Sequence, residues 1–461
     1  MPFNRNEYIL LLMKETTIAA IATPPGEGAI SVIRISGPEA IAMAQKIFSR
    51  PLSPHPSHTA IYGKILDKEG KSIDAVLLTI MRSPRSYTGE DSIEISCHGG
   101  SLVTKRVLKR VFEAGATPAK PGEFSLRAYL NGKIDLAQAE AVQQLIHAKN
   151  ELAMQTAEKQ LEGALSKLIT SFQKELTEIA AILEAWVDFP EEGLEFATTE
   201  EIIQNLEKVC ARMEHLHATF HQGKVLHEGI SLCLLGSPNV GKSSLMNALL
   251  GFDRAIVTDI AGTTRDLLEE DFKLGNLHFR LIDTAGIRNT EETIEQEGIR
   301  RSQKAMQQAD LVLLLLDASK PISSNDQELL RTVPKAKTLL VWNKIDIKQP
   351  AAPVSWHSSV EVSAKERIGL ERLGSAIETM IWEKGPPSKE EVTITQLRHH
   401  TALQNAITYC RAVISGLKEN ISPEFMTSDL RSSLTELGTI IGTNVTEDIL
   451  SAIFSKFCLG K

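Results

Sequence analysis

The sequence predicts a multidomain protein of mixed α/β and α+β class, with an α/β domain inserted in a helical domain and an α+β domain in front of both. Three features predict this. The 461 residues are too many for one hydrophobic core and enough for about three domains. Strand-like and helix-like patterning alternates in blocks along the chain. Near-continuous apolar strands, the kind buried on both faces of a parallel sheet, gather between two helical blocks.

Residues 1–125 are expected to form the α+β domain. AISVIRISG (29–37), DAVLLTIM (74–81) and SIEISCHGG (92–100) are strand-like runs punctuated by Gly and Pro. Ser31-Val32-Ile33-Arg34-Ile35 alternates with period two, and a helix is predicted over Ser101–Glu113. Residues 126–225 form the first helical block. Leu161, Leu165, Leu168, Phe172, Leu176, Ile179 and Leu183 recur at three- and four-residue spacing and make one long apolar stripe. This helix should end near residues 188–190, because Pro190 disfavours helix in the residue before it. A second helix is predicted over 199–221, capped by Thr198 or Thr199.

Residues 226–384 carry the strands ISLCLLG, HFRLIDT, DLVLLLLDA and TLLVWNKID between helices, a parallel α/β pattern. Residues 385–461 return to helix after Gly385-Pro386-Pro387, over 400–417, 427–441 and 446–457.

Composition narrows the function classes. The chain is 42% hydrophobic and 23% charged, which excludes general disorder. A net charge of −8 excludes nucleic-acid binding by bulk charge, so any RNA contact needs a local basic patch or a partner. The five cysteines form no CxxC pair and fit a reducing compartment. The apolar run 9–13 is too short to span a bilayer and no cleavage site follows it, so a cytoplasmic location without membrane contact is expected.

The strongest motif is Gly236-Ser-Pro-Asn-Val-Gly241-Lys242-Ser243-Ser244, directly after one strand and before a helix. It matches G-x-x-x-x-G-K-[ST], the P-loop. Its glycines let backbone N–H groups turn inward around phosphates, and the helix N-terminus adds partial positive charge. Asn239, Val240, Gly241, Lys242, Ser243 and Ser244 are the phosphate-binding candidates. Lys242 should reach the β- and γ-phosphates, and Ser243 should offer its hydroxyl to Mg²⁺.

The base must be read elsewhere. In Asn343-Lys344-Ile345-Asp346, the Asp346 carboxylate can accept two N–H bonds from guanine that adenine cannot offer. Ser363-Ala364-Lys365 follows a further short strand at a fitting distance. In order behind a P-loop these motifs point to GTP. Asp283-Thr284-Ala285-Gly286 completes the set, with Asp283 holding a Mg²⁺ water and Gly286 meeting the γ-phosphate. Thr264, in Gly262-Thr263-Thr264-Arg265-Asp266, is the candidate threonine that closes on Mg²⁺ and γ-phosphate. Ile287 follows Gly286 where Ras-like enzymes place a water-orienting Gln. Another group must do that work. Glu291, Glu292, Glu295 and Glu297 are at hand, and spacing alone does not choose among them.

Across essentially its whole length the chain resembles the MnmE (TrmE) family of tRNA-modifying GTPases. The motifs that carry the resemblance are GTTRD, PGEFSLRAYLNGKIDLAQAEA (121–141) and the terminal CLGK. The resemblance implies a GTP hydrolase activated by K⁺, acting as a homodimer. It places K⁺ ligands at Asn239 in the P-loop and at Thr258, Ile260 and Thr263 in the loop Ala255–Thr263, which also holds Asp259, Ala261 and Gly262, and it makes Glu295 the water-orienting carboxylate. Arg265, as an internal arginine finger, is the rival to K⁺. The resemblance further implies a 5-formyltetrahydrofolate site in the first domain at Arg34, Glu94 and Lys133, with Lys461 nearby. With an MnmG-like FAD protein as partner, such enzymes add a carboxymethylaminomethyl or aminomethyl group at C5 of the wobble uridine of certain tRNAs. Cys458 is either a reactive thiolate or a small packed residue. Competing readings are a ribosome-assembly GTPase and a folate-dependent tRNA methyltransferase regulated by GTP.

Overall fold

A computed structural model describes residues 16–188, 197–251, 270–275, 277–282, 305–350, 356–382, 385, 388, 391–458 and 460–461. The chain forms two compact units. Residues up to Gln143, Gln160–Ala211 and Ala402–Lys461 make the first; Gln144–Lys159 and Arg212–Thr401 make the second, which is thus inserted in the sequence of the first.

The first unit carries a six-stranded sheet of order β3-β4-β5-β2-β1-β6, from β1 (Ile18–Ile21), β2 (Ile30–Ser36), β3 (Thr59–Leu66), β4 (Ser72–Met81), β5 (Ser92–His98) and β6 (Thr117–Pro118). All neighbours are antiparallel except β1 and β6. Because side chains alternate across a strand, Ile33, Ile35, Ile93 and Ile95 point to one face. There they pack with Ala44 and Ile47 of helix Ala40–Ile47 and with Val107 and Val111 of helix Ser101–Glu113. Arg34 and Glu94 therefore point to the opposite face, directly across from one another in the β2–β5 register.

The helical part of this unit is built on Ala164–Asp188 and Pro423–Ile441. Along the former, Leu165, Ile169, Phe172, Leu176, Ile179 and Leu183 are buried. Within this helix the expected stripe holds, except that Ile169 takes the place of Leu168, as the 3.6-residue repeat dictates from Leu165 onward. Leu161, half-buried, instead ends a separate helix, Glu151–Leu161, and Gly163 (φ 83°) breaks the chain between the two. Thr198 is the cap: its hydroxyl accepts from Glu201 N (3.2 Å) and the Glu201 carboxylate accepts from Thr198 N (2.9 Å). The helix that starts here ends at Ala218, and a separate helix, Phe220–Glu228, follows. At the break, the Thr219 hydroxyl donates to Leu216 O (2.7 Å) and accepts from Ile394 N (3.1 Å), a side-chain alternative to the backbone ladder. The C-terminal helices span Leu397–Lys418, Pro423–Ile441 and Glu447–Phe454.

The second unit is an α/β layer structure. Its sheet has the order β12-β11-β10-β7-β9-β8, from β7 (Ile230–Leu235), β8 (Glu270–Leu274), β9 (Leu277–Leu281), β10 (Leu311–Asp317), β11 (Thr338–Asn343) and β12 (Ser359–Glu361). Only the edge pair β8–β9 is antiparallel. Apolar cores line both faces, which is why β7 and β11 are buried at every position. Near the two ends of the insert the rings of His217 and His400 stack, with centroids 3.9 Å apart. Burial, and then the neighbouring His400, push the His217 pKa down. Among the described residues, no helix is long and apolar enough to cross a membrane.

Candidate functional site

Strand β7 delivers the chain to Gly236, and helix Lys242–Leu250 begins six residues later. The turn between them needs glycine twice. Gly236 (φ 149°) lies against the Leu315 carbonyl, where an added Cβ would come within 2.5 Å, and Gly241 (φ 100°) lies against the Asn343 amide. Asn239 also adopts a left-handed conformation (φ 63°). The loop thus wraps a space at a helix N-terminus, a cradle suited to phosphate. Lys242 Nζ curls back over it and donates to Gly236 O (2.7 Å) and Ser237 O (3.0 Å). Burial lowers the Lys242 pKa. Ser243 and Ser244 sit exposed in the helix's first turn. The chemistry of the set, one ammonium and two hydroxyls at a helix N-terminus, fits a nucleotide polyphosphate with Mg²⁺, which Ser243 would help to hold.

The base motifs are fastened to this loop through one side chain. Asn343, at the end of β11, is buried. Its Nδ2 donates to Val240 O (2.8 Å) and its Oδ1 accepts from Ala364 N (3.0 Å). The P-loop, the NKID segment and the SAK segment therefore meet at Asn343. Ser363 and Ile368 exchange backbone hydrogen bonds of 3.0 Å, closing the SAK turn. Asp346 and Lys365 are exposed, and Lys344 is half-buried.

Thr258, Asp259, Ile260, Ala261, Gly262, Thr263, Thr264, Asp283, Thr284, Ala285, Gly286 and Glu295, together with Arg265 and Ile287, lie outside the described residues.

On the first unit, Arg34 lies under two aromatic rings, with Cζ 5.7 Å from the centroids of both Tyr87 and Phe124. Its Nε and Nη2 donate to Glu94 Oε1 (3.0 and 2.8 Å), and Nη1 donates to Gly460 O (3.3 Å). Gly460 (φ 91°) packs its backbone on Ile21 and Ala22, so the terminal segment lies along β1. Burial lowers the Lys461 pKa, and the Arg34 charge adds to the effect. Arg34, Glu94 and Lys461 are thus brought together. Lys133 bonds instead to the Pro84 carbonyl (3.1 Å), three residues from Tyr87. Two cations against one carboxylate, beside aromatic rings, suit an anionic ring-bearing ligand. Cys458 is exposed.

Sequence reasoning missed three groups. Asp317, closing β10, accepts from Lys344 Nζ (2.7 Å), from Ser319 Oγ (2.6 Å) and from Ser319 N (3.0 Å). Burial pulls its pKa upward, but the bonds from Lys344 and Ser319 outweigh that and hold the carboxyl below its ordinary value. Asp326, in the capping box of helix Ser324–Thr332, accepts from Ser237 Oγ (2.5 Å) and so ties down the start of the P-loop. Arg127 is 2% exposed and bridges Glu90 (3.2 Å) and Glu123 (3.0 Å) within the first unit. A charged residue closing an apolar strand, as in DLVLLLLDA, was the available signal for Asp317.

Comparison with known proteins places the chain. The family model for the MnmE helical domain matches residues 136–458, and that for the GTP-binding protein TrmE N-terminus matches residues 17–133. The tRNA modification GTPase MnmE of Protochlamydia amoebophila (strain UWE25) is 60% identical over 446 residues, covering 96% of this chain and 97% of the relative. That of Chlamydia abortus (strain DSM 27085 / S26/3) is 44% identical over 450 residues, covering 98% and 100%. Among solved structures, the G domain of the T. maritima FeoB iron transporter matches 33% of this chain and 98% of its own at 26% identity, with a TM-score of 0.25. With 96% of its length matched at 60% identity, this chain belongs to the MnmE family.

Proposed function

We propose that this protein binds and hydrolyses GTP and that it serves tRNA modification. The observation that carries the nucleotide reading is the Asn343 junction, which fixes the P-loop carbonyl of Val240 and the amide of Ala364 on one buried side chain. A phosphate cradle and a base-reading carboxylate, Asp346, are thereby attached to one rigid strand end. Family membership supports the tRNA role, since the relatives at 60% and 44% identity are named tRNA modification GTPases.

The finer reading follows the family. Lys242 and the loop amides bind the phosphates, Ser243 and Thr264 hold Mg²⁺, and Asn239, Thr258, Ile260 and Thr263 hold K⁺ in place of an arginine finger. Mg²⁺ and K⁺ supply positive charge where the phosphate oxygens gain negative charge. Glu295 orients the attacking water. Arg34, Glu94, Lys133 and Lys461 bind a folate carrying a one-carbon unit. The protein acts as a homodimer with an MnmG-like FAD protein, and together they install a carboxymethylaminomethyl or aminomethyl group at C5 of the wobble uridine. Tyr62 and Leu77, neighbours across β3–β4 and both exposed, support a face for self-association on the first domain. A four-part division at residues 125, 225 and 384 is part of this reading.

One set of measurements tests it. GTP and ATP turnover are compared for the wild type, Lys242→Ala and Asp346→Asn, each in K⁺ and in Na⁺ at equal ionic strength. GTP turnover lost in both variants and higher in K⁺ is expected. Equal use of ATP sinks the guanine assignment, and equal rates in the two salts return Arg265 to the catalytic role. A tRNA assay with and without the flavoprotein decides whether this chain works alone.

A further inference from the structure

Lys344 and Asn239 are non-glycine residues held in left-handed backbone conformations, with φ of 67° and 63°. Such conformations cost free energy and persist only where neighbours over-determine them. A single side chain joins the two, since Lys344 Nζ donates to Asn239 O (2.7 Å). The same ammonium donates to Asp317 Oδ2 (2.7 Å). Asp317 is itself rigid. Its other oxygen, Oδ1, is fixed by the Ser319 hydroxyl and amide, and its side chain is only 9% exposed. Asp317 also stands opposite Asn343 in the β10–β11 register, and Ala318 N donates to Asn343 O (2.9 Å).

From this we infer that Asp317 is a positioning residue for the nucleotide site, fixing the Lys344 ammonium so that the base-reading segment and the P-loop share one geometry. The inference rests on the GTP reading above. Asp317 is not itself a nucleotide ligand. It acts through Lys344, whose four-carbon stem has free rotation without a fixed counter-charge. A charge-assisted bond at 2.7 Å on an almost buried carboxylate supplies that restraint.

The test is a double-mutant cycle on the full chain with fluorescent GTP and ATP analogues. The variants are Asp317→Asn, Lys344→Gln, the pair, and Asp317→Glu. Asp317→Asn is expected to weaken GTP binding on the order of tenfold, mainly through faster release, with kcat at saturating GTP within about twofold. In the Lys344→Gln background the same change should add almost nothing, because the two act as one unit. Asp317→Glu keeps the charge and should retain GTP affinity within about threefold of the wild type. Wild-type affinity in Asp317→Asn, or losses that simply add, would overturn the inference. So would a loss in Asp317→Glu as large as that in Asp317→Asn, a pattern that signals only damaged packing. A wild type with no preference for GTP over ATP would instead overturn the site reading beneath it, and is seen before any variant is made.

Discussion

Replacing Asn343 with alanine should loosen the nucleotide site and the second unit together. The amide makes two bonds, to Val240 O at 2.8 Å and from Ala364 N at 3.0 Å, and both partners are buried. Truncation leaves one acceptor and one donor with no water to replace the lost amide. Each buried orphan costs about 1–3 kcal/mol, so the variant should lose about 2–6 kcal/mol. Urea unfolding of the nucleotide-free chain, followed by the fluorescence of neighbouring buried Trp342, reads this as a lowered midpoint. A parallel titration with GTP reads the functional half. Asn343→Asp keeps an acceptor for Ala364 but turns an oxygen toward the Val240 carbonyl, so it should recover nothing at the P-loop. A stability loss under about 1 kcal/mol with unchanged GTP affinity would refute the idea that this side chain joins the two motifs.

Other perturbations have outcomes fixed by the same physics. Arg127→Met removes the counter-charge of Glu90 and Glu123 and should cost about 3–5 kcal/mol, and adding Glu123→Leu should recover part of it, measured by thermal unfolding. Asp271 pairs with Lys149 and His278. Burial pulls its pKa upward, but the bonds and charges of those two partners hold it at about 2 against an ordinary 3.8. A depressed folded-state pKa gives stability that is present above pH of about 4 and lost as pH falls toward 2, so Asp271→Asn should flatten the urea-midpoint profile across that window. Gly460→Val sets a side chain against the Ile21 backbone at φ 91° and should displace the Arg34 contact, seen as weaker binding of 5-formyltetrahydrofolate in a direct titration.

Local signals explain what was legible beforehand. The P-loop, NKID and SAK motifs each depend on a few consecutive residues and their flanking strands, so their order along the chain implies their meeting in space. The apolar runs of β7, β10 and β11 announce a doubly covered sheet in the same way. What stayed hidden depends on pairing between distant segments. Arg34 reads as a lone charge on an alternating strand until the β2–β5 register sets Glu94 across from it. Lys344 finds Asp317 across the β10–β11 pairing, which no spacing rule encodes. The helix break at Thr219 escapes pattern reading because the residues on either side continue a helical repeat, while the Thr219 hydroxyl bonds to Leu216 O and to the distant Ile394 amide at the interruption.

The His217–His400 stack has a consequence for how the molecule assembles on leaving the ribosome. Contacts that complete the first unit, such as Tyr129 to Gly442 and Arg34 to Gly460, join residues 313 and 426 positions apart. Closing a floppy loop ten times longer costs about 2 kcal/mol more, and the waiting strands stay exposed meanwhile. The inserted unit emerges before the C-terminal helices, has cores of its own, and draws its entry and exit helices together at the stacked imidazoles. Once it has folded, the nascent chain has exchanged a tether of nearly two hundred links for a short clasp, and the early sheet meets its late helices as near neighbours.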